Sequence, residues 1–226
     1  MDNTFARINL AKKGVLMRLT KFEHSCFTLE KEGNVLVVDP GAWATDFVVP
    51  ENVVSVVVTH EHADHFDPEK LQAIVDKNPE AIIYAPEAVT SQVNNLPTQI
   101  VSPDEVMEVG GFTLTFTGGV HATIHKDFHP EYQNVGVIVD DVLYHPGDSL
   151  ALPNRPVKVL SLPIIAPWEK VSESVDFLIA VKPEFAFPTH DAMLSEFGFG
   201  LYDRWHKLAA EKYGIVYERI TDSIDI

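Results

Sequence analysis

The stretch Thr59-His60-Glu61-His62-Ala63-Asp64-His65-Phe66 places three histidines and an aspartate within six residues. Neutral imidazoles and a carboxylate are the groups that hold a borderline divalent metal. In an extended or looping backbone, His60 and His62 project to the same side and can grip one ion. Asp64 and His65 are adjacent, so they diverge from that pair and can serve a second ion a few Å away. The plainer reading is a polar surface turn that happens to be rich in histidine. It does not account for the further ligand types later in the chain.

The elements around this stretch support the metal reading. The preceding run Val53-Val54-Ser55-Val56-Val57-Val58 is short and β-branched, which predicts a buried strand. Such a strand delivers the histidines to the end of a sheet, where ligand sites of layered α/β folds tend to lie.

The motif resembles the HxHxDH signature of the metallo-β-lactamase fold superfamily, and the match extends along most of the chain. The resemblance implies three later ligands at strand ends: His121 in Gly118-Gly119-Val120-His121-Ala122, Asp148 in His145-Pro146-Gly147-Asp148-Ser149, and His190 in Pro188-Thr189-His190-Asp191. It also implies a supporting role for Asp39 in Val37-Val38-Asp39-Pro40-Gly41. By the same resemblance His60, His62 and His121 hold one metal, Asp64, His65 and His190 the other, and Asp148 bridges them with a hydroxide. Asp64, Asp148 and His190 are then the residues expected to carry the reaction. The implied fold is an α/β (α+β) four-layer αββα sandwich of two similar halves.

Seven nitrogen and oxygen ligands exceed what one tetrahedral ion uses, so two ions about 3.5–4 Å apart are expected. Such a pair lowers the pKa of bound water from about 15.7 towards about 7, giving a nucleophile at neutral pH. Zinc suits the imidazoles, and manganese or iron is compatible with the carboxylates. His24-Ser25-Cys26-Phe27 resembles the HSxF element of the branch that holds L-ascorbate-6-phosphate lactonases, N-acyl phosphatidylethanolamine phospholipases D and many small hydrolases. His24 then reads either as a group facing the site or as a histidine bonded within the sheet.

Composition sets the limits. The chain of 226 residues carries 17 basic and 33 acidic side chains, a formal charge of −16. That balance opposes nucleic acid, which needs a basic footprint. A small-molecule substrate is expected, anionic ones included, because ions at the centre set the local field. The single cysteine, Cys26, excludes an internal disulfide and points to a reducing, cytoplasmic setting. It reads as a small buried side chain in the second strand, with a ligand or nucleophile role as the alternative. No run has the length of a membrane span, so no membrane insertion is expected, and residues 1–16 read as a flexible extension before one domain at 17–226.

Along the chain, strands are predicted at 17–22, 25–29, 35–38, 81–84, 157–162, 184–187 and 215–218, with hairpins over 106–116 and 134–144. Asp67-Pro68 opens a helix to Lys77 with Leu71, Ile74 and Val75 inward. Helices are also expected over 86–93, from a Ser172 cap to Val181 with Val175, Leu178 and Ile179 inward, and over 201–212. Gly118-Gly119 is read as a close turn before His121, while His125 and His129 fall in a loop, as general acids, substrate contacts or exposed side chains. Trp43 reads either as a pocket wall or as a cap on the core, and the Pro163–Trp168 connection is a candidate pocket wall. Lys126 and Arg155 are the nearest cations in sequence to the site motifs, and both also fit plain surface charges.

These readings favour a dinuclear metal-dependent hydrolase of a small ester, lactone, amide or phosphodiester. A redox enzyme of the same fold is the alternative, although His62 stands where the flavodiiron branch has glutamate. A non-catalytic metal-binding scaffold is the other, and the complete ligand set argues against it. Homo-oligomers are frequent in this branch, so one is expected here by resemblance.

Overall fold

The computed structural model describes residues 17–128 and 130–226. The expectations for residues 1–16 and for His129 fall outside the described residues. In chain order the first half comprises β1 (Arg18–Lys21), β2 (Phe27–Lys31), β3 (Asn34–Val38), β4 (Val53–Val57), α1 (Pro68–Lys77), β5 (Ile82–Ala85), α2 (Glu87–Thr90) and β6 (Thr98–Ile100). There follow β7 (Val106–Val109), β8 (Phe112–Val120), β9 (Gln133–Val139), β10 (Leu143–His145), β11 (Val159–Pro163), α3 (Val171–Val181), β12 (Phe185–Thr189), α4 (Glu196–Tyr213), β13 (Val216–Tyr217) and β14 (Ser223–Asp225).

The strands form two seven-stranded sheets, ordered β14-β1-β2-β3-β4-β5-β6 and β13-β12-β11-β10-β9-β8-β7. In each sheet one side is antiparallel and the other parallel. The antiparallel partners are β14, β1, β2 and β3 in the first and β7, β8, β9 and β10 in the second. This shared pattern is the two-half organisation expected from the sequence.

Alternation along the strands builds the layers. Leu36 and Val38 of β3 join Phe27, Leu29, Phe112, Phe116, Val137 and Phe187 in the core between the sheets. Their neighbours Val35 and Val37 face outward onto Leu71, Ile74 and Val89 of the first helical layer. On the far side, Leu160, Leu162 and Ala186 pack against Phe177, Leu178 and Ala210 of α3 and α4. A period of two is what a sheet buried on both faces requires. The result is the αββα sandwich.

Several elements differ in extent from the sequence reading. Helix α1 matches: Asp67 Oδ1 accepts the Glu69 N–H at 2.9 Å, and Pro68 fills the first turn. Helix α2 is a single turn. Ser172 does not cap α3; the N-cap is Lys170, whose N–H donates to the Glu173 carboxylate at 2.9 Å, and the buried face is Ser174, Phe177 and Leu178 rather than Val175. Helix α4 starts at Glu196, capped by Ser195, because its packing overrides the low helical propensity of Gly198 and Gly200. Gly118 and Gly119 lie inside β8, paired with Val135 and Asn134, and β8 therefore runs up to His121. The short edge strands β6 and β14 carry too little periodicity to be read from sequence.

Candidate metal centre

Every expected ligand sits on a connection leaving the end of a strand. His60, His62, Asp64 and His65 follow β4, His121 follows β8, Asp148 follows β10 and His190 follows β12. Their ligand atoms converge into two groups, His60–His62–His121–Asp148 and His24–Asp64–His65–His190, the atoms of each within 4.8 Å of one another. The second group contains a residue that the sequence left open. His24, with φ +59°, aims Nε2 at Asp64 Oδ2, 3.0 Å away, and its ring lies 4.2 Å from that of His190.

Four of the ligand histidines are anchored through the other ring nitrogen. His65 Nδ1 donates to Asp39 Oδ2 at 2.7 Å, His60 Nδ1 to the Thr59 hydroxyl at 3.0 Å, His121 Nδ1 to the Ala122 carbonyl at 2.6 Å and His190 Nδ1 to the Ile165 carbonyl at 2.6 Å. Holding Nδ1–H in this way leaves the Nε2 lone pair for a metal. The buried Nε2 of His60 has no hydrogen-bond partner, and the buried Nε2 atoms of His65 and His190 face carboxylate oxygens, each 3.0 Å from Asp148. Buried polar atoms without partners are costly, and a cation among them would satisfy all of these together. The donor set therefore fits divalent metal ions.

Electrostatics agrees. Burial opposes charge on His190, yet Asp148 and Asp64 override it and push the imidazole up to about 10. Burial likewise opposes charge on His65, and Asp148 and Asp39 raise it well above the ordinary range. Asp148 resists burial in turn and is held well below the carboxylate range by His190 and His65. For His24 burial wins over Asp64 and brings it down to about 4. Asp148 and Asp64 thus draw positive charge into the buried cluster, carried by protons on His65 and His190 or by metal ions that replace those protons.

Asp39, fully buried, organises the floor. Its carboxylate accepts from His65 Nδ1, from His145 Nε2 at 2.8 Å, and from the Thr59 N–H and hydroxyl, each at 2.8 Å. His145 is a support that the sequence did not single out; its other nitrogen bonds Ser161 Oγ at 2.7 Å. Asn134 holds the Asp148 loop, accepting the Asp148 N–H at 3.0 Å and donating to the Pro146 carbonyl at 2.9 Å. At Gly41 a Cβ would lie 2.0 Å from the Asp64 carbonyl oxygen, so only glycine lets this loop press on the motif.

Trp168, expected as a wall, donates Nε1–H to Asp148 Oδ2 at 3.1 Å. Glu169 beside it is buried at both carboxylate oxygens, and that burial, opposed by His190, pushes it up to about 8. Trp43 tilts over His24 at 4.8 Å. His125 is exposed and stacks on Phe128. Lys126 and Arg155 pair with Asp127 and Asp141 at the surface, so they are surface charges. The cations beside the centre are instead Lys21 and Arg219, distant in sequence and brought in by the fold. Cys26 is buried just before β2, and burial pushes its thiol up, which suits an inert core side chain.

Fold and site together define a metal-dependent hydrolase of the metallo-β-lactamase fold. Residues 18–190 match the family described as beta-lactamase superfamily domain, and the chain belongs to that family. Among relatives, it is 36% identical over 191 residues to protein Rv0786c of Mycobacterium tuberculosis, covering 82% of this chain and 89% of that one. It is 26% identical over 154 residues to a UPF0173 metal-dependent hydrolase of Chelativorans sp. strain BNC1, covering 59% and 63% respectively. A crystal structure of a metal-dependent hydrolase from Parabacteroides distasonis superposes with a TM-score of 0.74 at 20% identity, covering 90% of this chain and 92% of that one.

Proposed function

We propose that this chain is a dinuclear hydrolase that opens an ester, lactone, amide or phosphodiester bond of a small molecule, with zinc as its preferred ion. One observation carries this reading: the Asp148 carboxylate stands between the two ligand groups. It lies 3.0 Å from Nε2 of His65 and of His190 on one side and 3.3 Å from Nε2 of His121 on the other. A single carboxylate within reach of both sets is what a bridging ligand requires.

Two bound ions would supply an activated water and a Lewis acid for the leaving oxygen. In this reading His60, His62 and His121 hold the first position, Asp64, His65 and His190 the second, and Asp148 spans them. Asp39 fixes the His65 tautomer, and Trp168 steers one Asp148 oxygen. The net reaction joins the water oxygen to the acyl or phosphoryl centre, breaks the bond to the leaving group and sends the proton out with it. Imidazole-rich sets favour zinc. The negative charge supports a small molecule rather than nucleic acid as partner. The lone buried cysteine supports a cytoplasmic location. Among the described residues no helix is long and apolar enough to cross a membrane.

The test is elemental analysis of untagged protein. Two equivalents per chain are expected, falling in His62→Ala and in His190→Ala, while Asp148→Asn stays folded and loses turnover. A content near zero with no uptake on titration would return the chain to a non-catalytic scaffold.

A further inference from the structure

A cleft of about 740 Å³ adjoins the second ligand group, within the range of small-molecule sites. His24 is the shared wall: it lines the cleft and contacts Asp64 and His190 behind it. Trp43 covers His24 on the cleft side, 4.8 Å between ring centroids, and remains 41% exposed. Phe22, Met193, Phe199 and Ile220 give the rest of the wall its apolar surface.

The two cations of the cleft are already committed. Lys21 Nζ donates to the carbonyls of Phe22 and His24 and stands 3.9 Å from Asp191. Arg219 donates to Asp191 at 2.5 Å and to both Asp203 oxygens at 2.7 and 3.0 Å, and it stacks over Phe199 at 4.0 Å. Glu23 and Asp46 add negative charge to the lining. An incoming anion would have to displace a carboxylate from Arg219 and pass two others. An aromatic or alkyl group meets no such obstacle and covers Trp43.

Building on the hydrolase reading, we propose that the substrate is an uncharged ester, lactone or amide whose aromatic or apolar body lies in this cleft against Trp43, its carbonyl at the His24 end, next to the second ligand group. Hydrolysis breaks the acyl–oxygen or acyl–nitrogen bond, the water oxygen joins the acyl carbon, and the leaving group departs with the proton.

The metal-loaded enzyme is tested on two esters with the same scissile bond, neutral 4-nitrophenyl pentanoate and the mono-4-nitrophenyl ester of glutaric acid. The neutral ester should lead by about tenfold or more in kcat/KM, and Asp46→Lys should narrow the gap. Trp43→Ala should raise KM for 4-nitrophenyl phenylacetate at unchanged metal content. A lead for the anionic ester, or an unchanged KM in Trp43→Ala, overturns the proposal. Binding of naphthalene-2-methanol, followed by fluorescence, separates the two readings. If no ester is turned over but this alcohol binds the parent and not Trp43→Ala, hydrolysis fails and the cleft assignment stands. If it binds neither, the cleft assignment fails.

Discussion

The Oδ2 atom of Asp39 lies 2.7 Å from Nδ1 of His65, with both side chains fully buried. Through this contact a residue that touches no ion would decide which nitrogen of His65 faces the centre. Asp39→Asn replaces an acceptor of several hydrogen bonds by a group that is half donor. We expect metal affinity at the second position to fall by about 10–100-fold, the usual range for lost outer-shell partners. Competition against a chromogenic chelator measures it, and an unchanged affinity would show that His65 is oriented by other contacts.

Trp168→Phe keeps an aromatic ring and removes the N–H that Asp148 accepts at 3.1 Å. A hydrogen bond to a charged group contributes about 1.5–3 kcal/mol, so turnover should drop by roughly tenfold or more with metal content retained. Full activity in Trp168→Phe would reduce this residue to a wall.

Gly147 has φ +63°, and a Cβ there would come within 2.3 Å of Asn134 Oδ1 and 2.8 Å of Thr59 Cβ. Gly147→Ala must therefore shift the clamp that holds Asp148. The expected cost is about 1–3 kcal/mol, from left-handed backbone and overpacking. It should appear in thermal unfolding, accompanied by weaker metal retention.

His206 lies on the buried face of α4, bonded to Ser174 Oγ at 2.9 Å and stacked on Tyr217. Burial lowers its pKa below the ordinary value, so between the two values the unfolded chain binds more protons than the folded one. Its contribution to stability is thus complete above about pH 6.5 and lost as pH falls towards the folded value. Urea unfolding of the parent and of His206→Gln should show the gap between them shrinking from pH 7 to pH 5. A gap that widens would mean that the folded state favours the imidazolium.

The sequence by itself determined much of this protein. The β-branched run before His60, the cap at Asp67-Pro68 and the alternation Val35–Val38 are local signals, because strand burial and helix capping act over a few residues. His121, Asp148 and His190 were legible as ligands through the resemblance of the HxHxDH stretch to the metallo-β-lactamase signature, which implies their places later in the chain. Tertiary structure decided what depends on contacts between distant segments. His24 joins the second group across 40 residues of chain, and His145 reaches Asp39 across 106. Arg219, near the C-terminus, closes a cleft beside His24, where Lys126 and Arg155, nearer in sequence to the motifs, reach only the surface. Sequence periodicity reports which face of an element is buried. Which elements meet, and so which charges are already neutralised, follows only from packing two sheets face to face.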